Sequence, residues 1–194
     1  MRRRLILPDR KRQQSTDIFS AKAAKSMRSK KTLIMNQSSQ SYLRQKLAEH
    51  ISGGEAFTPI EALIEKIPYD KIGIVPDHLP YSLWQLLYHI RYTQLDILEF
   101  SRDPNYKAPN WPDDYWPSDT SKASKDEWED LKRSYLRERK EFISLIKDDK
   151  IDLFKPFGHG EGQTLFREAI LIIEHAAYHT RQVLILMRLL KIYK

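Results

Sequence analysis

Cysteine is absent from the 194 residues, and with it go disulfides, thiolate metal ligands and a cysteine nucleophile. The composition suits a reducing compartment, and a cytoplasmic location is expected. Long apolar runs are lacking as well. The best stretch, from Leu165 to Leu190, is interrupted by Glu168, Glu174, His175, His179 and Arg181, so no membrane span of about 18 or more apolar residues is expected. Acidic residues are sparse in one place only. Residues 1 to 34 carry eleven Lys or Arg against Asp9 and Asp17, a local balance of +9 that exceeds the net charge of +7 and leaves the remainder near −2. A mildly acidic body argues against a nucleic-acid face on the fold.

What is present divides into a tail and one domain. Residues 1 to 34 show no sustained apolar period and read as a disordered basic tail. Three origins fit it: an organelle targeting segment, a basic arm, or upstream codons ahead of a true start at Met35, which is the preferred reading. Residues 35 to 194 are then a single domain, of a length that supports one core.

The domain reads as helices throughout. Ser39 or Ser41 can cap a helix carrying Leu43, Leu47 and Ile51, stopped by Gly53 and Gly54. Thr58, Pro59 and Glu61 spell a capping box with proline at the first helical position, and Pro68 ends that piece. After a proline-rich loop, Ser82 caps a helix through Phe100, Ser124 and Glu127 open another, and Thr164 caps the last. Long helices are expected near 80–101, 124–147 and 164–191, after a broken first helical region from 38 to 67, with no sheet. The connection 102–123 holds Pro104, Pro109, Pro112 and Pro117 among Trp111, Tyr115 and Trp116. It is long enough to cross a bundle end and reach a non-adjacent helix. Its tryptophans serve either as a lid over a ligand or, the preferred reading, as a plug at the end of the core.

Histidine is also scarce, with six in the chain. His50, His78 and His159 fall at a helix end or in Pro/Gly-rich loops, and His159 lies between two glycines that leave it too loose to name as a ligand. His175 and His179 are one turn apart, on a stripe that runs through Leu165, Glu168, Ile172, Gln182, Leu186 and Leu189. His89 lies on a second stripe with Leu86, Thr93, Asp96 and Phe100. Two imidazoles on an apolar face need either a polar network or a metal ion. Asp96, and Glu174 one residue off the histidine face, are candidates for a base or for a partner to a ligand. A surface carboxylate is the plainer reading of both.

Taken together, SLWQLLYHI, the NWP-containing crossover, a third amphipathic helix and HAAYHTRQVLIL on the final one resemble the DinB/YfiT-like metal-binding four-helix bundles, over nearly all of Gln37 to Ile192. The resemblance implies a metal triad of His89, His175 and His179, whose nitrogens should approach within about 3 to 4 Å of one another around one ion. All-nitrogen ligation favours zinc or nickel and accommodates iron, manganese or cobalt. The resemblance also implies a homodimer, and a low-molecular-weight thiol as a co-substrate. Two functions follow from it: a metal-dependent hydrolase or thiol S-transferase, and a non-catalytic, stress-associated metal-binding dimer.

Overall fold

The structure is a computed structural model that describes residues 38–53, 56–117 and 123–194. The expected tail at 1–34, the start at Met35 and the second glycine of the Gly53-Gly54 stop lie outside these residues. By their contacts the residues fall into two units, Met1–Leu43 and Arg44–Lys194. Of the first, only residues 38–43 are described, and they are helical. The second holds the rest of that helix and every other element.

The described residues are all-α, with no strand among them. Helix α1 covers residues 38–52, α2 is Ile60–Ile64, α3 is Leu83–Arg102, α4 is Lys125–Lys147 and α5 is Leu165–Leu189. Short 3-10 turns at Tyr69–Lys71 and Asp113–Tyr115 punctuate the connections. Three starts follow the serine and threonine signals of the sequence. The Ser82 hydroxyl accepts from Gln85 N–H while the Gln85 side chain accepts from Ser82 N–H, and Ser124 with Glu127 repeats the arrangement. Thr164 Oγ1 accepts from Arg167 N–H. Each such cap satisfies N–H groups that a helix start leaves without a partner.

Side chains show the helix directions. The starts of α3 and α4 share one apolar cluster, in which Leu83, Leu86 and Leu87 pack with Ala123, Trp128 and Leu131. At the other end, Arg102 of α3 pairs with Glu141 of α4 at 2.6 Å. The two helices therefore run parallel. Val183, Leu186 and Met187, late in α5, join the same cluster as the start of α3, so α5 runs antiparallel to both. Arg44 on α1 sits at the end of α4, where its guanidinium donates to the carbonyls of Ile146 at 2.7 Å and Asp148 at 2.9 Å, and to that of Ile151. These directions are consistent with the expected four-helix bundle.

The parallel pair corrects the expected course of the crossover. Instead of reaching a non-adjacent helix across the bundle end, the chain returns along α3 and starts α4 beside it. A twenty-residue α3 is about 30 Å long, so only a long connection can join its end to the start of a parallel neighbour. Other expectations also shift. Ser39 and Ser41 lie inside α1 rather than at its start, because the helix already includes residue 38. Pro59, not Thr58, occupies the N-cap of α2, with no side-chain cap bond. The Glu61 carboxylate, free to complete a capping box in the sequence, accepts from Arg139 of α4 instead. Leu189 is 55% exposed, since a stripe followed in steps of three and four drifts about 20° per heptad around a real helix.

Arg44 satisfies three carbonyls at and just beyond the end of α4 while itself only 9% exposed, and charged hydrogen bonds of this sort contribute more than neutral ones. Arg44→Met is expected to lower the unfolding free energy by about 2–3 kcal/mol. Urea titration would read this as a lower midpoint at unchanged slope; an unshifted midpoint would mean that water replaces the guanidinium without loss.

Candidate metal centre

The antiparallel course of α3 and α5 sets the middle of one against the middle of the other, and histidines occupy both middles. Nε2 of His175 lies 3.2 Å from Nε2 of His89, and the donor atoms of His89, His175 and His179 all lie within 4.8 Å of one another. The 3.2 Å edge is the separation expected of two nitrogens each about 2.0–2.1 Å from a common ion. Without an ion, the same edge is a hydrogen bond in which one imidazole donates to the other.

The outer nitrogens show which atoms are turned inward. His89 Nδ1–H donates to the Tyr115 carbonyl at 3.2 Å, and His179 Nδ1–H donates to Gln182 Oε1 at 2.5 Å. Each acceptor fixes a tautomer that leaves an Nε2 lone pair facing the cluster, the usual outer support of a metal-binding imidazole. Trp116 lies flat on His89, with ring centres 4.3 Å apart and planes within 6°.

Electrostatics keep the rings neutral. Burial, followed by the neighbouring His179 and His89, pushes His175 down to about 3. His179 is pushed down to about 4 by burial, against the opposing bond to Gln182. Burial lowers His89 as well, against the Tyr115 carbonyl. Three neutral imidazoles, those of His89 and His179 with inward lone pairs, and no thiolate fit a borderline divalent cation with positions left for other ligands.

The other candidates separate clearly. Asp96 is no surface carboxylate: Tyr115 Oη donates to its Oδ2 at 2.6 Å, and Tyr106 Oη donates to its Oδ1. Burial raises its carboxyl, and the Tyr115 bond pulls the other way. Glu174 is exposed, as the plainer reading had it. His50 and His78 are exposed. His159 is anchored to the Phe100 carbonyl at 2.8 Å, eleven residues beyond His89 on α3, which is about 16 Å of helical rise. The crossover divides its aromatic residues. Tyr115 and Trp116 wall the cluster, whereas Trp111 is 67% exposed, with its ring centre 6.5 Å from that of His89, so it does not plug the core.

Gln182 was legible as a partner, three residues after His179 and on its face. Tyr106, Trp116 and the Tyr115 carbonyl carry no local signal, since only the return of the crossover brings them to α3. Glu168 is buried on the same stripe as the α5 histidines; its carboxyl is raised by burial and held by Arg167 Nη1 at 2.7 Å.

Depressed histidine values give the ion-free protein a defined pH response. The unfolded chain takes up protons near the ordinary histidine value of ~6.5, while folded His175 and His179 resist until about 3 and 4. Stability is therefore full above that ordinary value and is lost as pH falls through the window below it. Asp96 and Glu168, raised by burial, act in the opposite sense at lower pH. Between roughly pH 7 and 5, melting of ion-free protein should fall more steeply for the wild type than for His175→Gln, and parallel slopes would refute this.

The sequence model of the DinB superfamily matches residues 56–183, a range that contains α2, α3, the crossover, α4 and all three clustered histidines. Neither the curated proteins nor the solved structures contain a match. With the family matched across most of the chain and the helices and histidines laid out as described, the protein belongs to the DinB superfamily.

Proposed function

We propose that His89, His175 and His179 hold one divalent ion and that the centre serves a metal-dependent hydrolysis or a thiol S-transfer. The observation that carries this is the convergence of three neutral imidazoles, two of them with the outer nitrogen committed to a fixed acceptor. A bound ion supplies Lewis acidity, lowering the pKa of a coordinated water or thiol so that a nucleophile exists at neutral pH. The chain's own contribution is to hold three rings on two rigid helices, to turn the Nε2 lone pairs of His89 and His179 inward, and to shield one side with Trp116. Zinc or nickel suits this donor set, with iron, manganese and cobalt as further candidates.

The second reading is a non-catalytic, stress-associated metal-binding dimer. It draws support from the placement of the cluster, since an ion bound by His89 on one side and His175 and His179 on the other would cross-link α3 to α5. A homodimer belongs to both readings, and a cytoplasmic setting is proposed with them; among the described residues no helix is long and apolar enough to cross a membrane. The outward residues Tyr178, Ile185 and Leu189 of α5, each well exposed, offer a second copy an apolar face. Sedimentation should find a dimer that Ile185→Asp splits, and a monomeric wild type would remove this part of the proposal.

Metal titration tests the centre. Each of His89→Ala, His175→Ala and His179→Ala should weaken zinc binding by more than the roughly 10–100-fold typical of losing an outer partner, and to a similar extent. Substitution of His50, His78 or His159 should change nothing. Zinc at about 100 times its Kd should stabilise the wild type by about 2.7 kcal/mol, or roughly 5–10 °C in Tm for a chain of this size. Undiminished binding in His89→Ala would break the triad. A screen with thiols, electrophiles and esters then separates the readings: turnover abolished by chelation supports the enzyme, and loss of stability on chelation without turnover supports the structural ion.

A further inference from the structure

Asp96 and His89 lie seven residues apart on one face of α3, about 10 Å along its axis. One residue of the crossover bridges them. Tyr115 gives its hydroxyl to Asp96 Oδ2 at 2.6 Å and offers its main-chain carbonyl to His89 Nδ1 at 3.2 Å. The adjacent Trp116 stacks on the His89 ring, so the segment that orients His89 is held to α3 through its side chain as well as its main chain. Tyr106, near the start of the crossover, donates to the other oxygen of Asp96. An ionised carboxylate accepts from both phenols at once, one on each oxygen, and such bonds are stronger than neutral ones.

We infer that Asp96 is a positioning residue for the metal centre: by anchoring the Tyr115 hydroxyl it places the Tyr115 carbonyl that orients His89. This rests on the metal-binding reading proposed above. The carboxylate stands outside the donor cluster, which among the described residues consists of the three imidazoles. Its influence passes through Tyr115 to the tautomer and tilt of one ligand. Asn at this position retains the shape but turns one oxygen into a donor, so it cannot accept from both phenols. Phe at 115 removes the hydroxyl and leaves the carbonyl.

The test uses cobalt as a visible probe, with zinc affinity and ion-free melting measured in parallel on the full chain. Asp96→Asn and Tyr115→Phe are each expected to weaken zinc binding by about 10-fold or more and to alter the cobalt absorption spectrum at saturating metal. The double variant should do no worse than the more damaging single, because both substitutions break the same contact. A spectrum at saturation does not respond to stability alone, so lowered melting with wild-type affinity and spectrum in both variants would overturn the role and leave Asp96 as a structural carboxylate. Should Asp96→Asn fail to fold, Tyr115→Phe decides alone. Failure of the wild type to take up cobalt or zinc would instead sink the metal centre itself, and this role with it.

Discussion

An imidazole placed between two packed helices must find a partner for each ring nitrogen, and much of the architecture around α3 and α5 answers that demand. The outer nitrogens of His89 and His179 are satisfied by a main-chain carbonyl and by an amide. The inner Nε2 atoms of His89 and His175 meet each other at 3.2 Å. Burial also holds the rings uncharged, which suits them to a cation and makes them poor proton carriers near neutral pH. The same interface that costs the histidines their hydration thus leaves them in the form that ligates metal.

The helices were largely legible because their signals are local. Ser82, Ser124 and Thr164 mark starts that depend on a few residues each, and the apolar stripes follow a fixed period. Local signals failed where a distant group competed. Glu61 reads as half of a capping box until Arg139 of α4 takes its carboxylate, and no window around Thr58 contains that arginine.

The same distinction runs through the candidate site. His175 and His179 announce each other by spacing, and His89 joins them because it stands at the middle of the only other long helix that bears an inward histidine among the described residues. Asp96 reads as a surface acid by composition and proves to be the anchor of two tyrosines, since both of its partners arrive on a crossover whose path depends on where α4 packs. The aromatic residues of that crossover were visible, but their division between wall and exterior was not: Trp111 and Trp116 are five residues apart with similar neighbours, and the turn at Asp113–Tyr115 sends them to different environments.

The parallel pairing of α3 and α4 bears on how the chain reaches this state. An antiparallel pair can zip from its turn, with each new contact close in sequence to the last. Here the first contacts between the helices join Leu83 and Leu87 to Trp128 and Leu131, more than forty positions away, so a large loop must close before any of them is rewarded. The crossover's own bonds to α3 close shorter loops, of 10 to 26 residues, whereas His89 and His175 are 86 residues apart, and loop closure costs more as the separation grows. Assembly of the histidine cluster is in this sense a late event in folding, a report that the long-range topology is already in place.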